Sequence, residues 1–346
     1  MIKNRFVLID AFALIFRAYY ALPALTNKEG VQLNAAYGFT SALLAAIKTL
    51  EPEYLVCGFD LPKPTKRHLE YVEYKAHRAP MPEDLMAQVP YVREILQTMN
   101  IPVLAVEGYE GEDVIATIVA KVKGDSCQVS DKNTKTCNLK PETFEFVIVT
   151  GDLDCLQLVD GQTKVYSMAR GVNQALMYDE AKVRERYGLA PAQFVDFKAL
   201  KGDPSDNIPG VKGIGEKTAI SLIQKFGSLE ELYRAINPKS EILNPKQIQN
   251  SKFKIQNEGK IKKIAEKTKI SEKVLRLLLE NKEQAFLSKK LSKIVDDVPL
   301  EFNLENAKIH DYDQQKVIAL FTKLGFKSLI ARLPDSQRLD NQQKLL

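Results

Sequence analysis

The chain has 346 residues, 45% of them hydrophobic, enough for one large core and a second, smaller helical unit. No run of about eighteen apolar residues occurs, which excludes a membrane-spanning helix. Four cysteines without a C-x-x-C pair and only three histidines argue against a zinc site and against histidine-based chemistry. The net charge of +5 conceals an asymmetry. Residues 239–293 carry fifteen Lys and Arg against six Asp and Glu, a local +9 that leaves the remainder at −4. A basic segment beside an acidic remainder suits a phosphate binder that keeps its carboxylates for another purpose.

In chain order, Lys3 and Arg5 before Phe6-Val7-Leu8-Ile9 faintly imitate a signal peptide. Asp10 and Arg17 interrupt the apolar run and no small-residue cleavage site follows, so the run reads as a buried first strand. Strands are predicted at Phe6–Asp10, Tyr54–Asp60, Val103–Glu107 and Phe146–Asp152. Helical periodicity lies between them at about Asn34–Leu50, Pro82–Met99 and Gly111–Lys123. This alternation predicts an α/β fold with a mostly parallel central sheet flanked by helices. Cys57 falls in an apolar strand and is assigned to the core. Gly124–Pro141 is polar and reads as a surface loop; a Cys127–Cys137 disulfide there is disfavoured in a reducing, cytoplasmic protein. Helical patterns dominate from about Asp179. Asn244–Lys263, in which Ile248-Gln249-Asn250 recurs as Ile255-Gln256-Asn257, reads as a mobile low-complexity insertion. The polar residues beyond Pro334 read as a disordered tail.

Three predicted strands end in aspartate: Asp10, Asp60, and Asp152 with Asp154 two residues on. Aspartate also favours turns, which would explain any one of them. In a parallel sheet, however, strand C-termini share one edge, and ligands bind there. Glu110, Glu112 and Asp113 open a predicted helix, where acidic residues also suit the dipole. Asp203 and Asp206 lie on a turn-rich stretch, where an N-cap is the simpler explanation. If these nine carboxylates meet, they cannot all stay ionised unaided, since two like charges about 4 Å apart repel by roughly 4 kcal/mol at an effective dielectric near 20. Oxygen-only ligands select hard ions, Mg2+ or Mn2+, and such a cluster suits two-metal phosphoryl transfer.

Pro209-Gly210-Val211-Lys212-Gly213-Ile214-Gly215-Glu216-Lys217-Thr218-Ala219 is a Gly-rich turn leading into a helix closed by Gly227. Its backbone N–H groups suit phosphate, with Lys212 and Lys217 adding charge; the glycine order does not fit a dinucleotide fingerprint. Backbone contacts of this kind predict salt-sensitive, sequence-insensitive binding. Between Tyr71 and Pro80, Lys75 and Arg78 are expected on one helix face to clamp a phosphate, with Tyr74 stacking on a base. A solvated charged helix would look the same.

In order and spacing, five motifs resemble those of the 5′-nuclease domain at the N-terminus of bacterial DNA polymerase I, and more broadly of the phage 5′ exonuclease and flap endonuclease superfamily. They are Phe59-Asp60 with Lys66-Arg67-His68; Tyr74-Lys75 with Arg78-Ala79-Pro80-Met81-Pro82; Gly108-Tyr109-Glu110; Gly151-Asp152-x-Asp154; and Gly202-Asp203 with Ser205-Asp206-Asn207 running into Ile208–Gly215. The likeness covers roughly residues 5–335. It implies a PIN-like 5′-nuclease core over 1–195, with gateway helices at about 63–100. It implies a helix–three-turn–helix module over 196–300 holding the Lys-rich insertion, a segment 301–335 packing back on the core, and a tail 336–346. It also implies that Asp10, Asp60, Glu110 and Glu112 hold one metal and that Asp152, Asp154 and Asp203 hold a second, with Asp113 and Asp206 nearby. Arg17, Tyr74, Lys75 and Arg78 would serve catalysis. Gly210, Lys212, Gly213, Gly215, Lys217 and Thr218 would contact duplex, with room for K+ at the backbone carbonyls.

Glu110-Gly111-Glu112-Asp113 departs from the usual bacterial Glu-Ala-Asp-Asp. Glu112 keeps the charge with one methylene more, and Gly111 should loosen the helix start by up to about 1 kcal/mol relative to Ala. The resemblance implies a monomeric, cytoplasmic 5′-3′ exonuclease or 5′-flap endonuclease acting on flaps, nicks, gaps and RNA-primed ends in replication and repair, with a DNA polymerase in cis or trans. The polymerase itself is outside this chain, so a stand-alone nuclease, a truncated product and an excised domain are equally open. Two other readings stay open: a DNA-junction binding protein whose catalysis has decayed, and a PIN-like ribonuclease. Acidic residues at all seven principal ligand positions argue against the first, and the long helical module against the second.

Overall fold

The computed structural model describes residues 4–124, 143–168, 174–236, 251–309 and 312–334, with only the backbone of 251–257. The elements in chain order are β1 (Asn4–Asp10), α1 (Ala11–Ala21), α2 (Asn34–Leu50), β2 (Tyr54–Gly58), α3 (Lys66–Glu70), α4 (Glu83–Met86), α5 (Val89–Thr98), β3 (Val103–Leu104), α6 (Gly111–Lys123), β4 (Phe144–Thr150), β5 (Thr163–Ser167) and β6 (Leu176–Tyr178). Helices follow: α7 (Glu180–Tyr187), α8 (Phe194–Lys201), α9 (Glu216–Phe226), α10 (Leu229–Ile236), α11 (Ser251–Thr268), α12 (Glu272–Glu280), α13 (Lys282–Ser292), α14 (Gln314–Leu324) and α15 (Lys327–Ile330). Contacts divide the chain into two units. The first holds Met1–Lys66, Ala79–Asp179 and Ile294–Leu346; the second holds Arg67–Arg78 and Glu180–Lys293. Residues 67–78 therefore belong with the helical unit, not with the core as expected, and the unit boundaries fall near 180 and 293 instead of 195 and 300.

The first unit is built on one six-stranded sheet in the order β3-β2-β1-β4-β5-β6. Every pair is parallel except the β5–β6 edge. Strands covered on both faces read as unbroken apolar runs. Phe6, Val7, Leu8 and Ile9 are fully buried, and so are Phe146, Ile148 and Val149. Chain direction across the sheet reverses between β1 and β4, so the ligand crevice of such a sheet lies beyond the ends of these two strands. On one face α2, α5 and α14 contribute Phe39, Leu43, Ile95, Val317 and Phe321 to the core. Residues 301–335, as far as they are described, thus join the core unit through α14 and α15.

α2 and α6 match their predicted spans. Four elements differ from expectation. The span Pro82–Met99 is two helices, α4 and α5, separated at Gln88, whose fully buried side chain accepts the Ala35 and Ala36 N–H groups at the start of α2. Helix α1 arises directly from Asp10, which caps it by accepting the Ala13 N–H at 3.2 Å. Residues 72–78 form turns instead of the helix expected for Lys75 and Arg78, and Lys75 adopts φ +54°. Residues 251–263 of the supposed mobile insertion lie in helix α11. Residues 125–142, with Cys127 and Cys137, residues 244–250 and the tail from 335 fall outside the described residues.

Gly58 at the end of β2 and Gly111 at the start of α6 meet backbone to backbone. A Cβ on Gly58 would lie 2.7 Å from the Gly111 carbonyl oxygen and 2.9 Å from Ile115 Cγ1. Gly58→Ala is expected to lower stability by about 1–3 kcal/mol, the usual cost of overpacking. A denaturant melt reads this as a lower midpoint at unchanged m-value.

Candidate active site

The first unit gathers its acidic residues beyond the C-terminal ends of β1, β2 and β4. Asp10 is the last residue of β1 and is 9% exposed. Its Oδ2 accepts the Thr150 hydroxyl at 2.8 Å, across from the end of β4. Thr150 is fully buried, and the same hydroxyl accepts the Asp152 N–H at 2.9 Å. Asp152 Oδ1 in turn accepts the Asp154 N–H at 2.9 Å, where a short 3-10 turn, Asp154–Leu158, begins. Asp60, two residues past β2, accepts the Gly111 N–H at 2.6 Å. Glu110 is buried at the N-cap of α6, and Glu112 is half-buried in its first turn.

Asp10, Asp60, Glu112, Asp152 and Asp154 lie close enough to act electrostatically on Asp10 or on Cys155. Burial, then the charge of Asp60, pushes the Asp10 carboxyl up to about 7; Asp152 adds to the rise, and the Thr150 and Ala13 hydrogen bonds oppose it. The buried Cys155 thiol is held well above its ordinary range by burial and then by Glu112, Asp10, Asp152 and Asp154. Asp113 stands apart in role: Oδ2 accepts the Glu110 N–H at 3.0 Å and Oδ1 the Val295 N–H at 2.8 Å, so both oxygens hold backbone. Arg17 is half-buried on α1 and forms no ion pair among the described residues.

The remaining predicted site residues lie in the second unit. Burial alone would raise the Asp203 carboxyl, but Lys198 at 2.6 Å and hydrogen bonds from Lys198 and Ser205 hold it down at about 2. Asp206 is 6% exposed and ion-paired to Arg78 and, at 3.6 Å, to Lys75. Tyr74 donates to Asp206 at 3.2 Å. At 1% exposure, packed against Ile208 and Leu291, Tyr74 is in no position to stack on a base as expected.

The Gly-rich segment is backbone-packed. Gly210 has φ +62°, and a Cβ there would come within 2.3 Å of Gly202 N. Gly213 has φ +91° and abuts Leu277 of α12. Gly215 caps α9, as the sequence pattern implied, and leaves Lys212 and Lys217 exposed and Thr218 half-buried.

Among the described residues, no three or more His, Cys, Asp or Glu side chains are already disposed to hold a metal ion. The donor set nevertheless fits one. It is all carboxylate, and burial and Asp60 raise Asp10, so positive charge arriving there would favour its ionised form. Asp10, Asp60, Glu110, Glu112, Asp152 and Asp154 are the residues of this unit that would close on a hard divalent cation. Sequence reasoning missed Thr150; its only signal is its place directly before Gly151-Asp152 at a strand end.

A family model described as 5′-3′ exonuclease, N-terminal resolvase-like domain, matches residues 5–188, and one described as 5′-3′ exonuclease, C-terminal SAM fold, matches 189–315. Curated relatives include DNA polymerase I of Caldicellulosiruptor bescii, 38% identical over 95% of this chain and 33% of that protein. DNA polymerase I of Bacillus subtilis is 35% identical over 99% and 34%. The chain thus spans about a third of the length of these relatives. Among solved structures, a T5 5′-exonuclease with bound zinc superposes with TM-score 0.56 at 18% identity, covering 83% of this chain and 89% of that one. The catalytic core of Rad2 with DNA substrate superposes with TM-score 0.52 at 18% identity, covering 96% and 93%. At such identities these likenesses speak to the fold.

Two outcomes follow from the Asp10 cluster. Because the folded state holds the Asp10 proton up to about pH 7 while an unfolded Asp releases it near 3.8, the metal-free protein should lose stability as pH rises between these values. Asp10→Asn should flatten that slope in thermal melts from pH 4 to 8. Thr150→Val, which keeps the volume but removes the shared hydroxyl, should weaken Mn2+ binding by calorimetry roughly 10–100-fold, the range for lost outer-shell partners, and Thr150→Ser should restore it.

Proposed function

We propose that this chain, which belongs to the 5′-3′ exonuclease family, hydrolyses DNA phosphodiesters near a 5′ end or at a 5′-flap junction and leaves a 5′-phosphate on the product. The observation that carries this reading is the convergence of Asp10, Asp60, Glu112, Asp152 and Asp154 beyond β1 and β4, with the Asp10 carboxyl raised by its neighbours. Bound divalent cations, Mg2+ or Mn2+, would supply charge neutralisation at the phosphate and a water nucleophile at neutral pH.

The protein's own residues have the remaining tasks. Thr150 orients the Asp10 carboxylate and anchors the Asp152 turn. The Gly111 N–H fixes Asp60. In the second unit, Lys198 holds Asp203 ionised, and Asp206 is ion-paired to Lys75 and Arg78, the groups that a phosphate would recruit from it. The Gly210, Val211 and Ile214 amides are spent inside the fold, which leaves the Gly215–Thr218 helix start with Lys212 and Lys217 to meet the duplex backbone, and K+ as a candidate ion at the segment's carbonyls. We take its substrates to be nicked, gapped and RNA-primed DNA and its setting to be the bacterial cytoplasm; the polymerase I relatives support a polymerase working in cis. We take the acting form to be a monomer.

A 5′-labelled flap duplex tests this. Wild type should cleave it in Mg2+ and not in EDTA, and Asp152→Ala should lose turnover by on the order of 10²-fold or more while still binding the flap. Equal cleavage in Mg2+ and EDTA would remove the metal from the reaction. Tight flap binding without cleavage in Mn2+ would favour a decayed junction binder, and preference for unstructured RNA would favour a ribonuclease.

A further inference from the structure

The second unit carries a basic surface that the proposed chemistry does not use. On α11, Lys260, Lys262, Lys263 and Lys267 are exposed, and Lys269 and Lys273 extend the exposed charge into the turn and α12. None of these six makes an ion pair with any described residue. Even Glu266, one turn beyond Lys262, leaves its neighbours unpaired. Four other lysines of the same unit are paired: Lys198, Lys201, Lys289 and Lys290 each meet a carboxylate within 3.0 Å. Like charges left adjacent on one helix destabilise it slightly. The arrangement therefore costs stability and gains nothing within the fold.

The spacing is specific. Lys260, Lys263 and Lys267 stand at i, i+3 and i+7, the pattern of one helix face. The inward side of the helix is anchored by buried Ile261 and Thr268, with Ile270 buried just beyond it. The three ammonium groups span seven residues, a rise of about 10 Å at 1.5 Å per residue. Phosphates on one DNA strand follow at about 3.4 Å along the axis, so the stripe matches roughly three of them. No exposed aromatic or large aliphatic side chain lies among these lysines, as the apolar centre of a protein interface would require. A bare row of point charges suits contact with a phosphate backbone, independent of base sequence.

We propose that the outer face of α11 is an additional contact for the duplex backbone, separate from the Gly210–Thr218 segment. This rests on the proposed DNA substrate and adds a second place where the same unit grips it.

The test is binding of a fluorescent flap duplex in EDTA across a KCl series, by anisotropy, using the full chain. The variant is Lys260→Gln, Lys263→Gln and Lys267→Gln together. A matched control removes the same charge from the first unit at Lys308, Lys316 and Lys323. The slope of log Kd against log salt should fall by about 2–3 in the α11 variant, at about 0.9 per phosphate contact, and stay within 0.5 of wild type in the control. An unchanged slope in the α11 variant, or an equal fall in both, overturns the proposal. If wild type itself neither binds nor cuts the flap, the fault lies with the proposed function. If wild type binds and cuts while the α11 variant keeps its slope, only the α11 contact fails.

Discussion

Mutual repulsion among carboxylates, with Asp10 buried among half-buried neighbours, is the constraint around which the site of the first unit is built. Asp10, Asp60 and Asp152 sit where a doubly covered parallel sheet ends, and the cost is visible in the Asp10 carboxyl, held near 7 by burial and by Asp60. The fold tolerates this because two helices begin at the cluster. Asp10 caps α1, and the first amide of α6 donates to Asp60. A helix N-terminus carries a partial positive charge, worth up to about 1 kcal/mol to a nearby carboxylate and more where partly buried. Those amides offset part of the repulsion, and a cation bound there would relieve the rest. A site that is uncomfortable when empty and comfortable when loaded couples metal binding to local stability.

The second unit handles its acids in the opposite way. Asp203 and Asp206 are already neutralised, by Lys198 in one case and by Arg78 and Lys75 in the other. Each of these carboxylates already has a cationic side chain within ion-pair reach. Lys75 is fixed in a left-handed turn whose N–H donates to the Asp206 carbonyl at 2.9 Å, so the backbone supports the ion pair as well. A phosphate competing for Arg78 and Lys75 would meet groups already aligned, with less side-chain entropy to lose than free lysines would have.

Much of this was legible in the sequence, and the parts that were not share physical causes. Strand-end aspartates and the Gly-rich turn were readable because periodicity and turn chemistry are local signals. Helix α1 was hidden because its cap, Asp10, is also the last residue of a strand, and the polar signal was read only as an interruption. Strands β5 and β6 are short and carry Lys164, Tyr166 and an exposed Leu176 and Met177, so no apolar run marks them. The 72–78 turns and the burial of Tyr74 depend on Asp206, Ile208 and Leu291, more than a hundred residues away, which no local pattern reports. Thr150 was missed because a buried hydroxyl shared between two acidic residues looks, in sequence, like any strand threonine.

The Gly111 departure shows why local propensity alone misjudges such positions. A glycine at the first turn of α6 costs up to about 1 kcal/mol of helix propensity. Yet a Cβ at Gly111 would sit 3.3 Å from the Gly58 carbonyl group and 3.4 Å from Phe59 N, tighter than ordinary contact. The missing methyl lets the helix start press against the end of β2, and the amide exposed there reaches Asp60 at 2.6 Å. What the helix loses in intrinsic preference it recovers as a fixed carboxylate. Glu112, one residue on and still within the field that raises Cys155, has the longer side chain to reach the same locality from a helix seated this deeply.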